Sequence, residues 1–223
     1  MILEDGLAAE LKSGLAALRL KVAGETERKL LDYVALIAKW NRVYNLTAVR
    51  EPSNMLTHHV LDSLAVAPHL TGHILLDVGS GAGLPGIPLA IAKPDLHVTL
   101  LDSNRKKTTF QQQAVIELGL QNVEVANSRI EAWNPGAQFD IVISRAFSDL
   151  AQFVALAGPC CAPGGGLAAM KGIYPTEELA RVPSSFAVTR VVPLGVPGVE
   201  GERHLVLMRR AQPNGVDAAE ARV

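Results

Sequence analysis

The sequence predicts an α/β protein: a mostly parallel sheet preceded by a small helical extension. Three observations predict it. From His73 onward, apolar strand-like runs alternate with helical runs, the pattern of strands joined by crossover helices. The first strand run, His73 to Val78, feeds a glycine-rich turn, Gly79-Ser80-Gly81-Ala82-Gly83-Leu84-Pro85-Gly86. The next, Val98-Thr99-Leu100-Leu101-Asp102, ends on an acid.

The elements follow in order. Leu7, Leu11, Leu15 and Leu18 recur at helical spacing, as do Leu30, Leu31, Val34, Ile37, Ala38 and Trp40. Glu51-Pro52-Ser53 opens a third helix, with proline in its first turn, that runs to Pro68. Strands are expected at 73–79, 97–102, 123–128, 139–145 and 166–171, with helices at 85–92 and 104–119 among the crossovers. Ser185 to Leu194 and Arg203 to Arg210 read as a closing antiparallel hairpin, which brings the sheet to seven strands. The expected organisation is a helical extension over 1–70 packed on the core, the α/β domain over 71–211, and a frayed tail over 212–223.

Bulk properties exclude several classes. The chain has 223 residues, 48% of them hydrophobic, enough for one α/β domain with an appendage. No apolar run approaches the ~18 residues of a membrane span, and Glu4 and Asp5 argue against an export signal. Two adjacent cysteines, Cys160 and Cys161, form no disulfide framework, and the expected home is a reducing cytoplasm. They are expected late in the helix after the fourth strand. His58, His59, His69 and His73 have no tetrahedral ligand spacing, so no metal is expected. Net charge is −1, so nucleic-acid binding must rest on local basic clusters.

The glycine turn carries the chemistry. Gly81-x-Gly83-x-x-Gly86 matches a dinucleotide fingerprint, a weak signal alone. Asp77, however, closes the strand ahead of Gly79, Gly81 and Gly83. A carboxylate there sits badly against a pyrophosphate but well near the ammonium of a methionine moiety. The turn therefore favours S-adenosylmethionine (SAM) over NAD, with Asp102 placed to take the ribose hydroxyls or, more simply, to cap the next helix. Ser128-Arg129-Ile130-Glu131, after the third strand, either receives the adenine or is an ordinary solvated loop. Ser144-Arg145-Ala146 ends the fourth strand, where the methyl acceptor belongs. An Asn/Asp-Pro-Pro-aromatic clamp for an amine and a pocket cysteine for a pyrimidine carbon are both missing there. Arg145 instead suits an acceptor that is already an in-plane lone pair, such as guanine N7, and is the candidate catalytic residue. Arg42, Asn45, His59, Lys171, Arg203 and His204 are candidate RNA contacts, against the plain reading of solvated charge. Trp40 and Tyr44 read as core.

Several stretches together resemble one family. Trp40 to Thr47, His59-Val60-Leu61-Asp62-Ser63, Asp77 to Pro88, Leu101-Asp102-Ser103, Ser144-Arg145-Ala146, Lys171-Gly172 and Gly201-Glu202-Arg203-His204-Leu205 look like RsmG (GidB), bacterial methyltransferases of guanine N7 in small-subunit ribosomal RNA. The likeness spans about residues 25–210. It implies a Rossmann-like class I SAM-dependent methyltransferase fold, a cytoplasmic enzyme, and 16S rRNA or the small ribosomal subunit as its partner. It further implies guanine 527, in the 530-loop region, as the target. The enzyme is expected to act as a monomer with neither metal nor membrane. Gly79, Leu84, the Ile130-Glu131 backbone pair and Arg145 would by that resemblance contact SAM. Asn104 departs from the family pattern, where leucine is frequent.

Three other functions compete: a small-molecule methyltransferase, favoured by the neutral charge; an NAD-dependent oxidoreductase, from the formal glycine match; and a non-catalytic RNA-binding module, which would require a damaged cofactor turn.

Overall fold

The computed structural model describes residues 2–211, so the expected tail over 212–223 lies outside the described residues. Helices α1 (Ile2–Ala17) and α2 (Gly24–Tyr44) form the start of the extension. The third helix is not continuous. It begins as α3 (Pro52–Met55), widens into a π-helical segment, Leu56–Leu61, and closes as α4 (Asp62–Leu64). Such widening inserts an extra residue per turn and re-aims the side chains beyond it.

Seven strands follow: β1 (Ile74–Val78), β2 (His97–Asp102), β3 (Val123–Asn127), β4 (Phe139–Ser144), β5 (Cys161–Lys171), β6 (Phe186–Pro193) and β7 (His204–Arg210). The helices among them are α5 (Gly86–Ala92), α6 (Arg105–Glu117), α7 (Leu150–Ala157) and α8 (Thr176–Leu179). The sheet order is β3-β2-β1-β4-β5-β7-β6. β1 to β5 pair in parallel, and β7 lies antiparallel between β5 and β6. The expected hairpin forms, with its second strand inserted beside β5.

Alternation along each strand divides the core between two faces. Leu75, Leu100, Ile143 and Ala168 face a cluster that includes Leu11, Leu30, Tyr33, Ile37 and Leu64 of the extension. Leu76, Leu101, Val142 and Ala169 face the opposite cluster, built on Phe153 and Val154 of α7. The helical extension thus covers one sheet face with the same apolar mass that holds α5 and α6 (Ile87, Phe110).

β5 begins five residues earlier than expected, since Cys161 to Gly165 carry no strand-like alternation. Cys160 and Cys161 are accordingly not in a helix: Cys160 lies in a 3-10 turn and Cys161 opens β5. Both are buried at the entry end of the strand, away from the carboxyl ends. Trp40 stacks on Tyr44 and packs edge-on against Phe110, but Tyr44 itself is exposed.

Candidate functional site

β1 ends on Asp77 and Val78, and the chain then turns through Gly79, Gly81 and Gly83, all at positive φ (70°, 60° and 86°). Glycine adopts these angles without the steric cost a Cβ imposes. Space adds a second demand, for a Cβ on Gly79 would lie 2.8 Å from the Cβ of Ala146 on the neighbouring loop. Gly86 has ordinary dihedrals, yet a Cβ added there would clash with Leu100 and lie 3.0 Å from Asp77 Oδ2. That glycine serves close packing of α5 on β2.

Asp77 is fully buried, with Oδ2 accepting from the Gly86 amide at 2.8 Å and Oδ1 lacking a partner. Burial pushes its carboxyl up to about 7, against the opposing pull of the Gly86 amide. Asp102 spans the turn and the next helix: Oδ2 accepts from Gly81 N and Oδ1 from Asn104 N, both at 2.8 Å. The helix cap is Asn104, whose side chain accepts from the amides of Lys106 and Lys107. Asp102 is thereby freed from capping α6, and its oxygens stay at the rim of a cleft.

That cleft, of about 270 Å³, is lined by Val78, Gly79, Asp102, Ser128, Ile130, Glu131, Ala146 and Phe147 among others. It brings together residues from the ends of β1, β2 and β4 and the 3-10 turn Ile130–Ala132 after β3. Gly81, Gly83 and Leu84 shape the turn behind it. Its lining has the chemistry an adenosyl group needs: a carboxylate able to accept from ribose hydroxyls, a half-buried Ile130 against which a base can rest, and glycine backbone between them.

Two supports for the turn escape a reading of the sequence. The buried Tyr33 hydroxyl, from α2, donates to the Ala82 carbonyl. Gln111 of α6 donates to Ser80 Oγ at 2.9 Å and Gly81 O at 2.8 Å. No local signal marks either, because both act across the fold, Tyr33 on a main-chain carbonyl and Gln111 on a carbonyl and the Ser80 hydroxyl.

A second pocket, of about 420 Å³, opens beside the first and is lined by His58, Asp62, Arg145, Lys171, Arg203 and His204 among others. Ser144 ends β4 with its hydroxyl donating to Val78 O at 2.7 Å. Arg145 follows just outside the strand. Its side chain turns into this second pocket, donating to Asp62 Oδ2 and His58 O at 3.1 Å each. The cofactor cleft is instead lined by Ala146 and Phe147. Arg203 donates through Nε to Asp62 Oδ1 at 3.2 Å. Lys171 is tied to Glu178 at 2.7 Å and to Phe147 O at 3.0 Å. His204 Nδ1 bonds Gly172 O at 2.8 Å.

The other candidate RNA contacts lie elsewhere. His59 is buried, and its Nε2 bonds Thr47 Oγ1 at 2.8 Å while Nδ1 has no partner. Burial, aided by the nearby Arg145 charge, lowers it to about 4, so the ring is neutral near pH 7 and braces the loop after α2. It is not a surface cation. Asn45, at the left-handed cap of α2, accepts from Arg50. Arg42 lines a separate groove between α1, α2 and α3. Asp62, named only within the stretch His59 to Ser63, joins the site; its position in that stretch was the available signal. Among the described residues, no three His, Cys, Asp or Glu side chains gather as a metal site requires. Nor is any described helix long and apolar enough to cross a membrane.

The glycine turn, the acid at the end of β2 and the order of a seven-stranded sheet with one antiparallel strand define a class I SAM-dependent methyltransferase. Solved structures share the fold: a SAM-dependent methyltransferase from Aquifex aeolicus (TM-score 0.56, 21% identity, covering 76% of this chain and 96% of that one) and the glycopeptide N-methyltransferase MtfA in complex with SAM (TM-score 0.54, 14% identity, 69% and 94%). The family model GidB, rRNA small subunit methyltransferase G, matches residues 26–206, and the chain belongs to that family. Relatives called ribosomal RNA small subunit methyltransferase G include one from Nitrosospira multiformis, 56% identical over 92% of this chain and 98% of its own length. Another, from Laribacter hongkongensis, is 58% identical over 90% and 97%.

Proposed function

We propose that this enzyme methylates N7 of a guanine in 16S ribosomal RNA, acting in the cytoplasm as a monomer without a metal ion. The observation that carries the reading is the pairing of two pockets across Arg145-Ala146. One is shaped for an adenosyl group; the other is cationic and opens at the ends of β4 and β5. Family membership supports rRNA as the substrate.

Bound SAM supplies an electrophilic methyl group. Asp102 would accept from the ribose hydroxyls, Gly79 and Leu84 would border the methionine moiety, and the Ile130-Glu131 backbone would hold the adenine. Arg145 and Arg203 hold the acceptor nucleotide. N7 carries no proton, so no side chain need act as a general base. What the protein contributes is in-line placement at ~3–3.5 Å.

Nucleoside analysis of rRNA from cells with and without the gene tests the proposal, the expected result being loss of one 7-methylguanosine. An unchanged nucleoside profile refutes it. Binding of rRNA should also weaken steeply as salt rises, whereas a flat response would favour a small-molecule acceptor.

A further inference from the structure

We infer that Asp62 is a positioning residue of the acceptor pocket, fixing the Arg145 and Arg203 guanidiniums beside the acceptor nucleotide. The inference rests on the methyl-transfer reading above. Asp62 is 3% exposed, and its two carboxylate oxygens are divided between two cations far away in sequence. Oδ2 takes Arg145 Nη1 at 3.1 Å and Oδ1 takes Arg203 Nε at 3.2 Å. Each guanidinium has a second anchor: Arg145 Nη1 on His58 O and Arg203 Nη1 on Glu202 O. Both are therefore held at two points, and their Nη2 groups stay outside these bonds, as donors for a ligand.

Charge decides what the device does. Lys171 is already neutralised by Glu178, so one carboxylate faces two guanidiniums and the pocket keeps a net positive charge. Without the carboxylate, two like charges sharing one pocket repel, and their long side chains swing toward solvent. The backbone supports the same function: Asp62 is the first residue after the π-helical segment, which sets the direction of its side chain. The family's acceptor chemistry needs no base, so the carboxylate acts through the arginines rather than on the nucleotide.

The test uses the full chain with small-subunit rRNA as substrate and 7-methylguanosine as product. Asp62→Asn preserves shape but removes the charge. It should leave SAM affinity, measured by calorimetry, within about twofold of wild type and the melting temperature nearly unchanged. Turnover should fall about 100-fold, the scale on which ~1 Å misplacement acts. Asp62→Ala risks misfolding, so the second arm is the cycle of Asp62→Asn with Arg203→Ala. The combined loss should be much smaller than the product of the single losses, because each change breaks the same arrangement. Asp62→Asn turnover within threefold of wild type overturns the inference, as does a cycle in which losses multiply, or a parallel collapse of SAM affinity and melting temperature. Failure of the wild-type enzyme to form 7-methylguanosine would instead overturn the underlying functional reading.

Discussion

Asp102→Ala separates the two jobs of one carboxylate. The side chain is 8% exposed and accepts one amide on each oxygen, Gly81 N and Asn104 N, both at 2.8 Å. Hydrogen bonds to a charged group contribute ~1.5–3 kcal/mol each, but these amides lie at a cleft rim where water can replace the lost acceptor. The folding cost is therefore nearer ~2–3 kcal/mol in total than the sum of two full bonds. Loss of the ribose contact adds a separate ~1.5–3 kcal/mol to SAM binding, roughly a 10- to 150-fold rise in Kd. Asp102→Asn keeps one acceptor oxygen and should fall between. Isothermal calorimetry with SAM, alongside denaturant unfolding, reads the two effects independently. A folded Asp102→Ala protein with wild-type SAM affinity would remove Asp102 from the cofactor site.

Three further outcomes follow from the geometry. Asp77 is raised to about 7, so its contribution to stability is full below pH 4 and is lost as pH rises toward 7. His59 is lowered to about 4, so its contribution is full above about pH 6.5 and is lost as pH falls toward 4. The two slopes oppose in the same window; melting curves should show stability rising with pH in Asp77→Asn and falling with pH in His59→Gln. Gly86→Ala forces a methyl against Leu100 and Asp77 and should cost ~1–3 kcal/mol in denaturant unfolding. Tyr33→Phe strands the buried Ala82 carbonyl; a loss of ~1–3 kcal/mol and weaker SAM binding are expected from unfolding and calorimetry.

The strands were readable because each carries a short apolar run bounded by turn residues, and because Asp77 and Asp102 mark the carboxyl ends. The first turn of β5 was hidden, since Pro163 and three glycines carry no period, and only pairing with β4 makes that stretch a strand. The π-helical segment was equally hidden: Leu56, Val60 and Leu61 suit an α-helix as well, and the extra residue shows only in the backbone. In the site, the glycine turn was legible from local conformational need. Arg145 was placed correctly after β4, but the direction of its side chain depends on Asp62, which is 83 residues away. His59 misled because a histidine beside basic residues looks like surface charge, while burial and Thr47 make it a neutral brace. Tyr33 and Gln111 act on main-chain carbonyls and so leave no pattern to find.

The insertion of β7 between β5 and β6 has a consequence for synthesis of the chain. Arg203 immediately precedes that strand, so the wall it contributes is delivered only after the first six strands have been made. The residues lining the first cleft are all made once the chain reaches Phe147, whereas those lining the second are complete only at His204.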